Sequence, residues 1–180
     1  MKKTLILSLL ITTTSIFAAD YSGVIEKPDA SKMIERDILA PVQKYTIPTD
    51  CITQDKEAIA RGRFIFHNLN EKKAAKKAPK GLLNKNSDGS IKQYGNCVAC
   101  HNIENAIGAG NIGPDLSNYL SYYIKTGARD TQFLYQKIAD ARVDYLKTNM
   151  TINLTTNLLN EREICDIASY ILTKKQIKGK

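Results

Sequence analysis

Three stretches of the chain place apolar residues at helical spacing. In 55–68, Ile59, Gly62 and Phe66 fall on one face, Thr53 or Asp55 can cap the start, and acidic residues occupy the first turn. A glycine in mid-helix costs about 1 kcal/mol relative to alanine, so Gly62 implies that another element crosses there closely. From about residue 130, Phe133, Leu134, Ile138, Ala141 and Tyr145 lie near one stripe and predict a second helix. The last opens at Asn160 with Glu163 three residues later, a capping-box arrangement. Ile164, Ile167, Ala168 and Ile171 make its buried face, and Lys174 and Lys175 suit its C-terminal dipole. No stretch alternates as a strand would, so the expected class is all-α.

The connecting segments are polar. Residues 69–94 form an insert whose lysine-rich start is stopped by Pro79 and Gly81, with a turn expected at NSDGS, 86–90. Residues 102–118 are rich in glycine and asparagine and predict a loop. Residues 20–50 contain Pro28, Pro41 and Pro48 and read as an extended arm with one short helix over 31–39. Such an arm cannot order itself alone; it packs along the domain or grips a partner.

The first residues, MKKTLILSLLITTTSIFA (1–18), have the order of a secretory signal peptide: Lys2 and Lys3, an apolar run opening at Thr4, then small residues at Ala18 and Ala19. Thr12 to Ser15 interrupt the run well short of the ~20 apolar residues a membrane span needs. The expected organisation is therefore a signal peptide at 1–18, cleaved near Ala18, an arm at 19–50, a domain at 51–175 and a tail at 176–180. The mature protein is expected in the periplasm, without a membrane span, where disulfides persist.

Charge narrows the partners little. The formal net charge of +8 falls to +6 once Lys2 and Lys3 are removed, and Lys72, Lys73, Lys76, Lys77 and Lys80 lie within ten residues. Basic runs can bind nucleic acid or anionic membrane. An exported protein rarely meets nucleic acid, so the run reads as a solvated or partner-facing surface.

The chemistry is concentrated in GNCVACHNI, 95–103, where Cys97, Cys100 and His101 form Cys-x-x-Cys-His. Structural zinc sites draw four ligands from two close pairs, whereas Cys51 and Cys165 are isolated and the other histidine is His67. A thioredoxin-like dithiol needs a sheet for which there is no pattern; a periplasmic dithiol oxidoreductase is the weakest of the readings. The motif therefore points to one covalently attached haem c, with Cys97 and Cys100 as thioethers and His101 as proximal ligand. A second axial ligand is commonly methionine. Met1 leaves with the signal and Met33 lies in the arm. Met150, in KTNMTINLT between the last two helices, is the favoured ligand. The alternatives are that Met150 is an apolar loop residue, or that His67, expected at the surface, ligates instead.

Gly62 to Phe66, the haem motif, GPDL and EICDIASYI together resemble a class I cytochrome c. The resemblance implies that the first and last helices cross at Gly62 and Tyr170 beneath the haem edge. It also implies that Pro114 offers its carbonyl to the His101 ring, fixing the imidazole. A narrower likeness is carried by ARGRFIF, YGNCVACHNI, GNIGPDLSNY, QKIADAR with the later TNM, and EREICDIASYI. Over about 44–172, with gaps, these resemble the SoxX family, small monohaem subunits of SoxAX-type complexes. That resemblance implies a heterodimer with a larger SoxA-type cytochrome, which joins thiosulfate oxidatively to a cysteine of a SoxYZ-type carrier, an L-cysteine S-thiosulfotransferase activity. The sulfur chemistry belongs to the SoxA haem. This chain would receive the electrons, with no catalytic residues of its own, and pass them to a downstream acceptor. The alternative is a freestanding carrier between a reductase and a terminal oxidase. Two features depart from the family: Thr151 and Ile152 follow Met150 where prolines are usual, and the lysine-rich insert is longer. If the first and last helices pack together, Cys51 and Cys165 can form a disulfide; two buried thiols are the alternative.

Overall fold

The computed structural model describes residues 40–68, 78–104 and 106–173. The expected signal peptide, the helix over 31–39, Met33, the lysines at 72, 73, 76 and 77, Lys174, Lys175 and the tail lie outside the described residues. Among the described residues there are three α-helices: α1 (Lys56–Phe66), α2 (Thr131–Ala139) and α3 (Glu161–Leu172). No strand occurs among them; Lys85 and Ile91 form an isolated bridge around the expected turn, which closes through Gly89 N–H to Asn86 O. No described helix is long and apolar enough to cross a membrane.

The caps follow the sequence. Asp55 accepts from Ala58 N–H at the head of α1. Asn160 and Glu163 complete a reciprocal capping box at the head of α3, satisfying backbone donors that helix geometry leaves open. Beyond the expected apolar stripe, α3 is buried on every side from Glu163 to Leu172. Its polar positions are matched by partners. Arg61 of α1 grips Asp166 with two hydrogen bonds of 2.6 and 2.9 Å, both residues being buried. Ser169 accepts from Thr53 N–H and donates to Cys51 O. Cys51 and Cys165 form a disulfide, with Cα atoms 4.9 Å apart across 114 residues of sequence. In the chain-entropy account a loop of this length contributes at most about 5 kcal/mol.

Gly62 explains how closely α1 approaches α3. A Cβ there would stand 1.9 Å from the backbone oxygen of Asp166. The crossing point is thus Gly62 against Asp166 and Ile167, not against Tyr170 as the resemblance implied. Tyr170 lies one turn further along α3, where its ring meets Phe66 at 5.8 Å and His67 at 5.7 Å.

The second helix ends sooner than its stripe suggested. After Ala139 the chain turns extended at Asp140, whose carboxylate accepts from Arg142 N–H and starts a 3-10 turn, Ala141–Val143. Ala141 remains buried, but Tyr145 is 61% exposed. A buried aspartate paired with a nearby arginine overrides apolar periodicity, because neither charge is tolerated in a core without its partner. The hydrogen bonds from Arg142 hold the Asp140 carboxyl down at about 2 in spite of its burial.

The described end of the arm packs along α2. Gln136 Oε1 accepts from Tyr45 N–H and Gln132 Oε1 from Ile47 N–H, at 2.7 and 2.8 Å, while their amides donate to Gln43 O and Tyr45 O. Two glutamines one turn apart therefore receive an extended segment much as a neighbouring strand would, pairing its backbone groups.

Replacing Gly62 with alanine is expected to lower stability by about 3 kcal/mol, at the upper end of core overpacking. Urea unfolding of the holoprotein measures it; an unchanged midpoint would refute the close crossing.

Candidate haem site

The motif enters as a tight turn. Cys97–Ala99 form a 3-10 turn, and Cys97 O accepts from both Cys100 N–H and His101 N–H at 3.1 and 2.9 Å. Val98 points into the core at 2% exposure and anchors the turn, leaving its neighbours Cys97 and Cys100 half-buried with free thiols. The following loop folds back over the motif. Gly113 N–H donates to Cys100 O at 2.8 Å, and Leu116 N–H to Asn102 O at 2.8 Å. Asn102 also donates from its side chain to Asp115, at 2.6 Å.

His101 is thereby held from two sides. Its Nδ1 lies 2.9 Å from Pro114 O. A carbonyl only accepts, so Nδ1 carries the proton and Nε2 keeps its lone pair for a metal. Gly113 lies against the ring, and a Cβ there would stand 2.4 Å from Cε1. The Pro114 carbonyl thus meets the imidazole as the resemblance implied.

Cys97, Cys100, His101, Pro114 and Met150 all line one cavity of about 600 Å³. Its walls are apolar, with Phe66 from α1, Leu134 and Ile138 from α2, and Ile167 and Ile171 from α3. Burial pushes the Cys97 thiol up to about 12, the opposite of the acidic thiol that a dithiol oxidoreductase uses. His67 is half-buried rather than on the surface, and its Nε2 lies 2.8 Å from Tyr170 Oη. With its Nε2 engaged by Tyr170 and its side chain outside the cavity lining, the alternative that His67 ligates in place of Met150 finds no support in that position.

Several lining residues escaped sequence reasoning. Tyr119, just before a π-helical turn, Leu120–Ile124, and Tyr123 within it have ring centroids 4.8 Å apart, tilted by 35°, and both reach the cavity. Asn153 lines it too; its Nδ2 donates to Ile138 O at 2.7 Å, while its buried Oδ1 has no hydrogen-bond partner. Tyrosines clustered in NYLSYY were a visible signal. Asn153, in a polar loop, gave none.

The profile of the cytochrome c family matches residues 88–175. The chain carries a cytochrome c domain. Its fold is the all-α class I cytochrome c fold, and its cofactor is covalently attached haem c. No curated protein matches the chain significantly. Helix α1 precedes the matched segment, yet it packs on α3 more extensively than any other pair of described elements. The residues present fit a haem: two thiols, an imidazole with Nε2 available and a thioether share one apolar cavity.

Gly113→Ala is expected to push the imidazole off Pro114 O and to reduce the yield of haem-loaded protein severalfold. Haem-stained gels normalised to total protein measure this; parental yield with an unshifted Soret band would refute it.

Proposed function

We propose that this electron-transfer haem protein is the electron-accepting subunit of a SoxAX-type complex in the periplasm, which couples thiosulfate oxidatively to a carrier-protein cysteine. The observation that carries the electron-transfer core of this reading is that both thiols, the His101 imidazole and the Met150 thioether line the same cavity. The sulfur-oxidising assignment is supported by the sequence likeness around the motif, GNIGPDL and EREICDIASYI. Export is supported by residues 1–18 and by the Cys51–Cys165 disulfide, a bond that persists in oxidising compartments.

In this reading Cys97 and Cys100 would hold the haem through thioether bonds, and His101 Nε2 and the Met150 sulfur would bind its iron. When bound, the haem supplies a one-electron couple whose potential is set by ligation, hydrogen bonding and burial. The chain's residues do the tuning. Pro114 O takes the Nδ1 proton's hydrogen bond and fixes the plane of the ring. Apolar side chains from α1, α2 and α3 would pack against the haem. Exposed Ile112 and Tyr145 line the cavity as well and leave an apolar edge for contact with the larger cytochrome.

Met150→Ala should abolish the weak near-infrared sulfur-to-iron band and lower the reduction potential; an unchanged spectrum would remove Met150 from the site. Affinity capture of the full chain from native periplasm, followed by haem staining, should recover a second, larger haem protein. A chain that is recovered alone, with redox kinetics indifferent to thiosulfate-oxidising extracts, would instead mark a freestanding carrier.

A further inference from the structure

The loop that carries Met150 runs from the end of α2 to the start of α3, and residues 140–159 contain no proline to stiffen it. Its geometry comes from the end of α2 instead. Ala139 O accepts from both Asn153 N–H and Leu154 N–H, at 3.1 and 3.0 Å. Asn153 Nδ2 reaches Ile138 O at 2.7 Å. Two residues on, Thr155 Oγ1 donates to Asp140 Oδ2 at 2.8 Å.

Asp140 is a hub. It is fully buried, and its carboxylate accepts from Arg142 N, Nε and Nη2, from Thr155 Oγ1 and, at 3.4 Å, from Gln43 N. Arg142 Nη1 in turn donates to Ala40 O. The arm adds a second tie, since Tyr45 Oη lies 3.0 Å from Thr155 Oγ1. The single Thr155 proton is committed to Asp140, so Tyr45 is the donor in that pair. Arm, helix end and loop thus meet at one hydroxyl. Nothing in the haem motif requires this arrangement.

We propose that Asp140, Thr155 and Tyr45 are positioning residues for the distal ligand: through them α2 and the arm hold the Met150 loop against the haem. The inference rests on Met150 being that ligand. A loop without proline reaches the same end through a buried, charge-assisted anchor, because hydrogen bonds to an ionised carboxylate are stronger and more directional than neutral ones. The arm is accordingly part of the haem site's framework, although it touches none of the metal-facing atoms.

The test uses full-length ferric holoprotein and the variants Thr155→Val, Thr155→Ser and Tyr45→Phe, which leave the Asp140–Arg142 pair intact. Added imidazole competes with the thioether for the iron, so its apparent affinity reports how firmly the loop presents Met150. Thr155→Val is expected to bind imidazole about tenfold more tightly, the scale of one lost hydrogen bond to a charged group, and to weaken the near-infrared band. Tyr45→Phe should lie between, and Thr155→Ser should stay within twofold of the parent. Parental imidazole affinity in Thr155→Val overturns the inference if Met150→Ala has lost the near-infrared band, and a lowered melting temperature would not rescue it. If Met150→Ala keeps that band, the ligand assignment and the inference fall together.

Discussion

The approach of α1 to α3 at Gly62 is the constraint on which the other contacts depend. With a backbone oxygen filling the space a side chain would take, the two helices sit close enough for Arg61 to reach Asp166 with both forks of its guanidinium. The same closeness brings Cys51 to Cys165 and Phe66 to Tyr170. A buried ion pair adds little net stability, because desolvation offsets attraction. Its geometric demand is strict, however, and a shift of one turn would leave two buried charges unmatched. Packing thus brings the helices together, and the polar pair selects the register.

That crossing also builds the back wall of the cavity, since Phe66, Ile167 and Ile171 all face it. The motif turn is then pinned through Val98, and the loop after it is folded over the turn by backbone hydrogen bonds. His101 receives its orientation from Pro114 and its close cover from Gly113. The His101 side of the site is therefore made by short-range geometry within about twenty residues. The loop that carries Met150 is tied over a longer range. After Met150, Asn153, Leu154 and Thr155 reach back to Ile138, Ala139, Asp140 and Tyr45.

This division explains how far the sequence could be read. The cysteines and His101 were legible because their spacing is itself the chemistry, and Pro114 because it sits in a recognisable segment. The helices were legible where apolar period and caps agreed, as at Asn160 and Glu163. Reading failed where a polar contact outranked the period. The stripe through Ala141 and Tyr145 did not foresee that Asp140 would turn away to meet Arg142, nor could a histidine at a helix end announce its hydrogen bond to Tyr170.

By itself the sequence determined the helical class and the covalent haem attachment, since each is a local pattern whose meaning does not depend on distant residues. Only the tertiary structure decided that Cys51 and Cys165 are bonded, that the helices cross at Asp166 rather than Tyr170, that the described end of the arm lies along α2 and that Thr155 bonds back to Asp140. The first three join residues 85 or more positions apart, and the last spans 15. Contacts of that range are set by which surfaces can pack without leaving a charge or a backbone group unpaired, a condition that no local stretch of the chain expresses.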